Sequence, residues 1–220
     1  MAPSSFSAAD HEHMARALRL AELGLYSTAP NPRVGCVIVK DGRRVGEGWH
    51  RVAGEAHAEI HALNAAGDLA RGATAYVTLE PCSHYGRTPP CAEALIAAGV
   101  ARVVSAMQDP NPQVAGRGIV RLATAGVRAE SGLLESAAKE LNIGFVSRMS
   151  RGRPWVRLKL ASSLDGKTAL ENGASQWITG AEARQDGHRW RARACAILSG
   201  IGTVRDDDPQ LNVRGVETMR

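Results

Sequence analysis

Apolar residues recur at helical spacing at Met14, Ala17, Leu18, Ala21 and Leu25. Ser7-x-x-Asp10 stands ahead of them as a capping-box signature, so the pattern predicts an amphipathic helix ending near Gly24. Pro30 and Pro32 make residues 26–33 an irregular loop. A β-branched run over 34–40, the dipeptide Asp41-Gly42 and a second run over 43–49 predict a hairpin. Farther on, the pattern alternates. Helices are expected over 56–66, 91–98, 117–125 and 133–145, and strands over 74–80, 102–107 and 127–129. Strands alternating with helices predict an α/β sheet covered on both faces. Residues 148–154, RMSRGRP, are basic and poor in apolar positions, and they mark the expected boundary between domains at 1–148 and 149–220. Beyond it, strands are expected over 155–161 and 196–198, and a helix over 181–194. No internal repeat or low-complexity tract is visible.

Composition narrows the class. The chain has 220 residues, more than one average domain and fewer than two full ones. A hydrophobic fraction of 44% supports a packed core, and 4% aromatics make that core aliphatic. No stretch of 18 consecutive apolar residues occurs, which argues against a spanning helix and a membrane partner. The segment MAPSSFSAADHEH shows no basic region followed by an apolar one, so no secretory signal is expected. Four cysteines are too few for a disulfide scaffold, and a reducing, cytoplasmic setting is expected. The net charge of +5 lies mostly in residues 151–220, whose balance is +4 against +1 for residues 1–150. With so few aromatics to interleave, that excess suits phosphate groups better than a nucleic acid.

The chemistry concentrates in four residues. His57, Cys82 and Cys91 are three ligands of the type zinc prefers, and three ligands leave its fourth position open, as a catalytic zinc requires. Thr88, with Pro89 and Pro90 in a first turn, is expected to place Cys91 near a helix N-terminus, where a thiolate is favoured. Glu59, two residues after His57, points away from the metal-facing direction and is free to carry protons. Cys36 and Cys195 read as small core residues, and His11, His13, His61 and His188 as surface or satisfied core histidines. His57 and His61 are four apart, but Ala58 stands where a zinc protease motif needs glutamate, so a protease is discounted.

The order H-x-E, then P-C and a second cysteine, is the zinc nucleobase-deaminase signature. Eight residues, 83–90, separate the two cysteines here instead of two. That longer form, PCSHYGRTPPC, together with PNPRVGCVIV, GEGWH, GEAHAEIHAL and QDPNPQVAGRGI, resembles the bifunctional riboflavin-biosynthesis deaminase/reductase family over residues 14–146. The resemblance implies a cytidine-deaminase-like three-layer αβα domain. It implies zinc on His57, Cys82 and Cys91, with Glu59 as proton donor and acceptor. The implied reaction is hydrolytic loss of ammonia from a phosphoribosylated pyrimidine, with Asn31, His50, Arg87 and Asn111 lining the substrate pocket. Arg87 suits a phosphate by its fork geometry. Asn31 and Asn111 also sit in Asn-Pro turns, where asparagine is favoured in any case.

RPWVRLKLASSLDGKTAL, GASQWITG and GIGTVRDDDPQLNVR resemble the start of the same family's reductase, a dihydrofolate-reductase-like α/β domain. The resemblance implies NADPH contacts at Ala161, Trp177, Thr203 and Asp207. It implies contacts to the phosphorylated sugar at Ser175, Arg191, Leu211 and Arg214, and assembly into homo-oligomers. Gly200-Ile201-Gly202 lacks the third glycine of a dinucleotide fingerprint, with Arg205 in its place. The family's reductase continues well past Arg220, so deamination is expected of this chain and reduction is not. Two other readings remain: a cytidine or tRNA-adenosine type zinc deaminase, and a non-catalytic zinc-stabilised nucleic-acid module. The second would need a fourth ligand, for which His84 is the nearby candidate.

Overall fold

The computed structural model describes residues 6–84 and 89–218. Helix α1 (Ala8–Glu22) opens with the expected reciprocal cap: Asp10 N–H donates to Ser7 Oγ at 3.1 Å, and Ser7 N–H donates to Asp10 Oδ2 at 2.8 Å. Strands β1 (Gly35–Lys40) and β2 (Arg43–Trp49) form the hairpin. Asp41 and Gly42 both take positive φ, 48° and 74°, as a type I′ turn demands. Helix α2 (Ala58–Ala66), strand β3 (Thr74–Val77), helix α3 (Cys91–Ala97), strand β4 (Arg102–Ser105), helix α4 (Arg117–Thr124) and strand β5 (Arg128–Ser131) follow in alternation. The sheet order is β2-β1-β3-β4-β5. β1 is antiparallel to both neighbours, while β3, β4 and β5 run parallel. The sheet is therefore mixed, with the hairpin at one edge.

Two glycine approaches fix which helix covers which face. A Cβ on Gly35 would lie 2.0 Å from Ala17 O of α1, and one on Gly48 would lie 2.5 Å from Ala58 O of α2. Gly48 pairs with Cys36, the residue after Gly35, so by the period of two these glycines face opposite sides. On the α1 side, Tyr76 and Arg102 follow in register and meet Asp10. α3 and α4, the crossovers of the parallel strands, continue the α2 layer, and α5 (Glu135–Leu141) packs beside α1. The result is three layers, αβα. The core is aliphatic, with Met14, Ile38, Leu95, Val103 and Leu122 at or near zero exposure.

The single helix expected over 133–145 is two helices, α5 and α6 (Ile143–Arg151), broken at Asn142. Asn142 is fully buried, and its side chain pairs with the backbone of Arg33: Oδ1 accepts from N–H at 2.8 Å and Nδ2 donates to O at 2.9 Å. That tertiary pairing fixes the break. α6 then runs through part of the basic stretch 148–154 and stops at Gly152, which takes φ 65°. Cys195, expected in a core, is exposed. His13 is buried with one ring nitrogen lacking a partner among the described residues, so it is not a fully satisfied core histidine; His61 is half-buried and has one such nitrogen.

The chain divides into two compact units, Met1–Trp155 and Val156–Arg220. The second contains helices α7 (Ala181–Arg193) and α8 (Ile201–Asp207). The strands expected over 155–161 and 196–198 do not form, because no neighbouring segment among the described residues offers a hydrogen-bonding ladder. The apolar positions of the first run, Val156, Leu158 and Leu160, are 70–79% exposed. Ala192 is the one buried residue among the described residues of this unit.

Candidate metal centre and active site

His57, Cys82 and Cys91 come together at the carboxyl ends of the parallel strands. His57 is the N-cap of α2 and spends no side-chain bond on capping, so its ring is free. Cys82 lies on the loop leaving β3. Cys91 is the first residue of α3, with Pro90 as N-cap. The two prolines thus precede the helix and do not form its first turn as expected, because Pro90 takes an extended ψ of 135°. Thr88 lies outside the described residues. The three ligand atoms are all within 4.8 Å of one another. His57 Nδ1 is 3.2 Å from Cys91 Sγ and 3.7 Å from Cys82 Sγ. A tetrahedral zinc with ordinary bond lengths spaces nitrogen and sulfur about 3.6 Å apart, so the donor set and its spacing both fit that ion. No fourth His, Cys, Asp or Glu joins the group among the described residues, and His84 stands exposed outside it.

The protons of this cluster are strongly displaced. Contact with Cys91, aided by His57 and by the Cys91 backbone N–H donating at 3.3 Å, pulls the Cys82 thiol down to about 4. Cys91 is pushed well up by the same sulfur contact and by burial, so Cys82 is the readier thiolate. His57 is raised by contact with Cys82. Glu59 is 3% exposed, and burial, reinforced by the Cys82 charge, pushes its carboxyl up to about 7. A carboxyl poised near neutrality beside a metal cluster can both accept and give a proton. Glu59 lies outside the three-residue ligand group.

His50 and Asn31 border the cluster. The His50 ring meets that of His57 edge-on at 5.4 Å. His50 Nδ1–H donates to Ala56 O at 3.1 Å, which leaves Nε2 to accept from Asn31 Nδ2 at 3.1 Å. Burial depresses the His50 pKa, so the ring is neutral and its tautomer is set by these two partners. Asn31 therefore does more than shape a turn. Asn111 is half-buried; its backbone N–H donates to Asp109 Oδ1 at 2.8 Å and its Oδ1 accepts from Gln113 N–H at 3.1 Å, leaving the amide nitrogen for other use. Arg87 lies outside the described residues.

In the second unit, Arg191 donates to Gln210 O and Asn212 O, and Arg214 donates to Gln210 Oε1 at 3.2 Å, so these two guanidinia meet on one segment beside Leu211. Trp177 is exposed under the Arg184 guanidinium. Thr203 and Asp207 stand exposed on α8, while Ala161 and Ser175 are half-buried in loops. Gly200 is the N-cap of α8, and Gly202 lies within that helix. Two organising residues escaped sequence reading: Asn142, and Glu80, a buried carboxylate between Leu79 and Pro81. A lone acid at the end of an apolar strand was the available signal for Glu80.

Residues 7–107 match the family described as the cytidine and deoxycytidylate deaminase zinc-binding region, and residues 154–220 match the RibD C-terminal domain. Fold, cluster and these matches together define the class: a cytidine-deaminase-like zinc-binding α/β domain followed by a segment of the RibD C-terminal domain type. The riboflavin biosynthesis protein RibD of Escherichia coli strain K12 is 62% identical over 208 residues, covering 94% of this chain and 57% of that protein. The structure of Acinetobacter baumannii RibD, form 1, superposes with a TM-score of 0.91 at 59% identity over 94% of this chain and 58% of that one. The diaminohydroxyphosphoribosylaminopyrimidine deaminase/5-amino-6-(5-phosphoribosylamino)uracil reductase of Thermotoga maritima gives 0.90 at 44% identity over 96% and 60%. The chain belongs to the bifunctional RibD deaminase/reductase family, and it spans a little over half the length of these relatives.

Proposed function

We propose that this chain catalyses the hydrolytic deamination step of riboflavin biosynthesis. Its substrate would be 2,5-diamino-6-(5-phosphoribosylamino)pyrimidin-4(3H)-one and its product 5-amino-6-(5-phosphoribosylamino)uracil. The observation that carries the reading is a three-ligand His57–Cys82–Cys91 cluster with a buried, neutral-range Glu59 carboxyl next to it. When bound, zinc supplies Lewis-acid activation of water and a counter-charge for two thiolates. Glu59 takes the proton from the attacking water and returns it to the departing nitrogen. Water adds at the amino-bearing carbon, the carbon–nitrogen bond breaks, and ammonia leaves. His50, fixed as a neutral ring by Ala56 and Asn31, presents a polar edge to the pyrimidine. Asn31, Asn111 and Arg87 complete the contacts, Arg87 toward the phosphate.

The domain reading that goes with it is a deaminase over 1–148 and part of a reductase over 149–220. In the latter, Ala161, Trp177, Thr203 and Asp207 are assigned to NADPH and Ser175, Arg191, Leu211 and Arg214 to the phosphosugar. Trp177, Thr203, Asp207, Leu211 and Arg214 are exposed, and reduction is not proposed for this chain. Homo-oligomers and a cytoplasmic setting belong to the same reading; no helix among the described residues is long and apolar enough to cross a membrane. Replacing Glu59 by Gln tests the proton role. The Glu59→Gln protein should retain zinc and lose about 10²- to 10⁴-fold in turnover. Full activity would refute the assignment, and NADPH oxidation by this chain with the deaminated product would refute the division between its two parts.

A further inference from the structure

Glu80 is 3% exposed and carries an unusual load of donors. Its Oε2 accepts from the backbone N–H of Asp109 at 3.0 Å and of Gly116 at 2.9 Å. Its Oε1 accepts from the N–H of Gly118 at 2.8 Å and of Ile119 at 3.3 Å. Gly118 and Ile119 belong to the first turn of α4, where free N–H groups favour an anion. Asp109 and Gly116 bracket the loop that leaves β4. One carboxylate thus fastens both ends of the 109–116 loop and the start of the next helix. No neutral side chain of that size can do this. Either orientation of a glutamine would aim its NH₂ at two N–H donors.

The position of Glu80 gives this a functional direction. Two residues later the same loop delivers Cys82. Gly118 packs so closely on the intervening residue that a Cβ there would lie 2.0 Å from Pro81 O. The clamped loop therefore lies against the ligand loop, and Asn111 is held through Asp109 Oδ1 at 2.8 Å.

We propose that Glu80 is a positioning residue: its carboxylate docks the 109–119 segment onto the Pro81-Cys82 loop and so holds Asn111 at the site for substrate. This rests on the deaminase reading, and two measurements separate them. The first is amide hydrogen exchange on the zinc-loaded chain. The N–H groups of Asp109, Gly116, Gly118 and Ile119 should exchange slowly, and in Glu80→Gln they should speed up by about tenfold or more. The second is kinetics. Glu80→Gln should raise KM by about tenfold with kcat changed less than about threefold and zinc content unchanged, since the loss falls on binding. Glu80→Asp, which keeps the charge, should recover part of the KM, and Glu80→Gln should add little in an Asn111→Ala background. Fast exchange of these four amides in the wild type would overturn the proposal, as would an unchanged KM or a fall in kcat alone. If Glu80→Gln does not fold, wild-type exchange and Glu80→Asp decide. A wild type that releases no ammonia refutes the deaminase reading, and the exchange result then judges the clamp alone.

Discussion

Asp10 shows how much a single side chain carries outside the site. It is 5% exposed and accepts from Tyr76 Oη at 2.7 Å, Arg102 Nη1 at 2.6 Å and the Ser7 backbone. Burial raises its carboxyl, but the hydrogen bonds from Arg102, Tyr76 and Ser7 outweigh burial and hold it well below the usual range. A depressed folded-state pKa stabilises fully above the unfolded value near 4, and that contribution is lost as pH falls through the folded value. Asp10→Asn leaves Arg102 with Glu130 alone and should cost about 3 kcal/mol at pH 7. Urea unfolding at pH 7 and pH 3 checks this: the gap between wild type and variant should narrow at the lower pH, and an equal gap at both would contradict it. The capping role of Asp10 was legible, since Ser7 is three residues away. Its other partners were not, because they lie 66 and 92 positions along the chain. The same holds within the site. His57, Glu59, Cys82 and Cys91 announced themselves by residue type and order, whereas Glu80 looked like an ordinary strand end.

At the scale of elements, signals between chain neighbours are legible in the sequence and tertiary ones are not. The Ser7 cap, the Asp41-Gly42 turn and the alternation of helices and strands need only neighbours. The break at Asn142 depends on Arg33, 109 residues earlier, and no periodicity encodes it. The strands expected over 155–161 and 196–198 had the right pattern, but a strand also needs a paired neighbour. Close packing is equally hidden. Gly46 of β2 lies under α2, where a Cβ would come within 2.2 Å of Ala62 O, a backbone atom that cannot swing away. Gly46→Ala should therefore force β2 from α2 and destabilise by about 1–3 kcal/mol. A variant with an unchanged thermal midpoint would show that this edge of the sheet is looser than the structure has it.

For the whole molecule, the arrangement explains why the site lies where it does. The parallel β3 and β4 end side by side, and the loops leaving them carry Cys82 and the Glu80-clamped segment. Two helix starts, α2 and α3, supply His57 and Cys91 from across that opening. The ionic network of Asp10, Arg102 and Glu130 joins α1, β4 and β5 on the other side of the sheet. The ligand cluster and the ionic network thus occupy different parts of the same unit. The central claim is that this unit deaminates a phosphoribosylated pyrimidine. Its most direct test is ammonia release by the zinc-loaded chain from 2,5-diamino-6-(5-phosphoribosylamino)pyrimidin-4(3H)-one, cytidine and a tRNA adenosine, each with and without a chelator. The account predicts release from the first alone, abolished when the metal is stripped. Release from cytidine or tRNA at a comparable rate, or none from the phosphoribosyl pyrimidine, would contradict it.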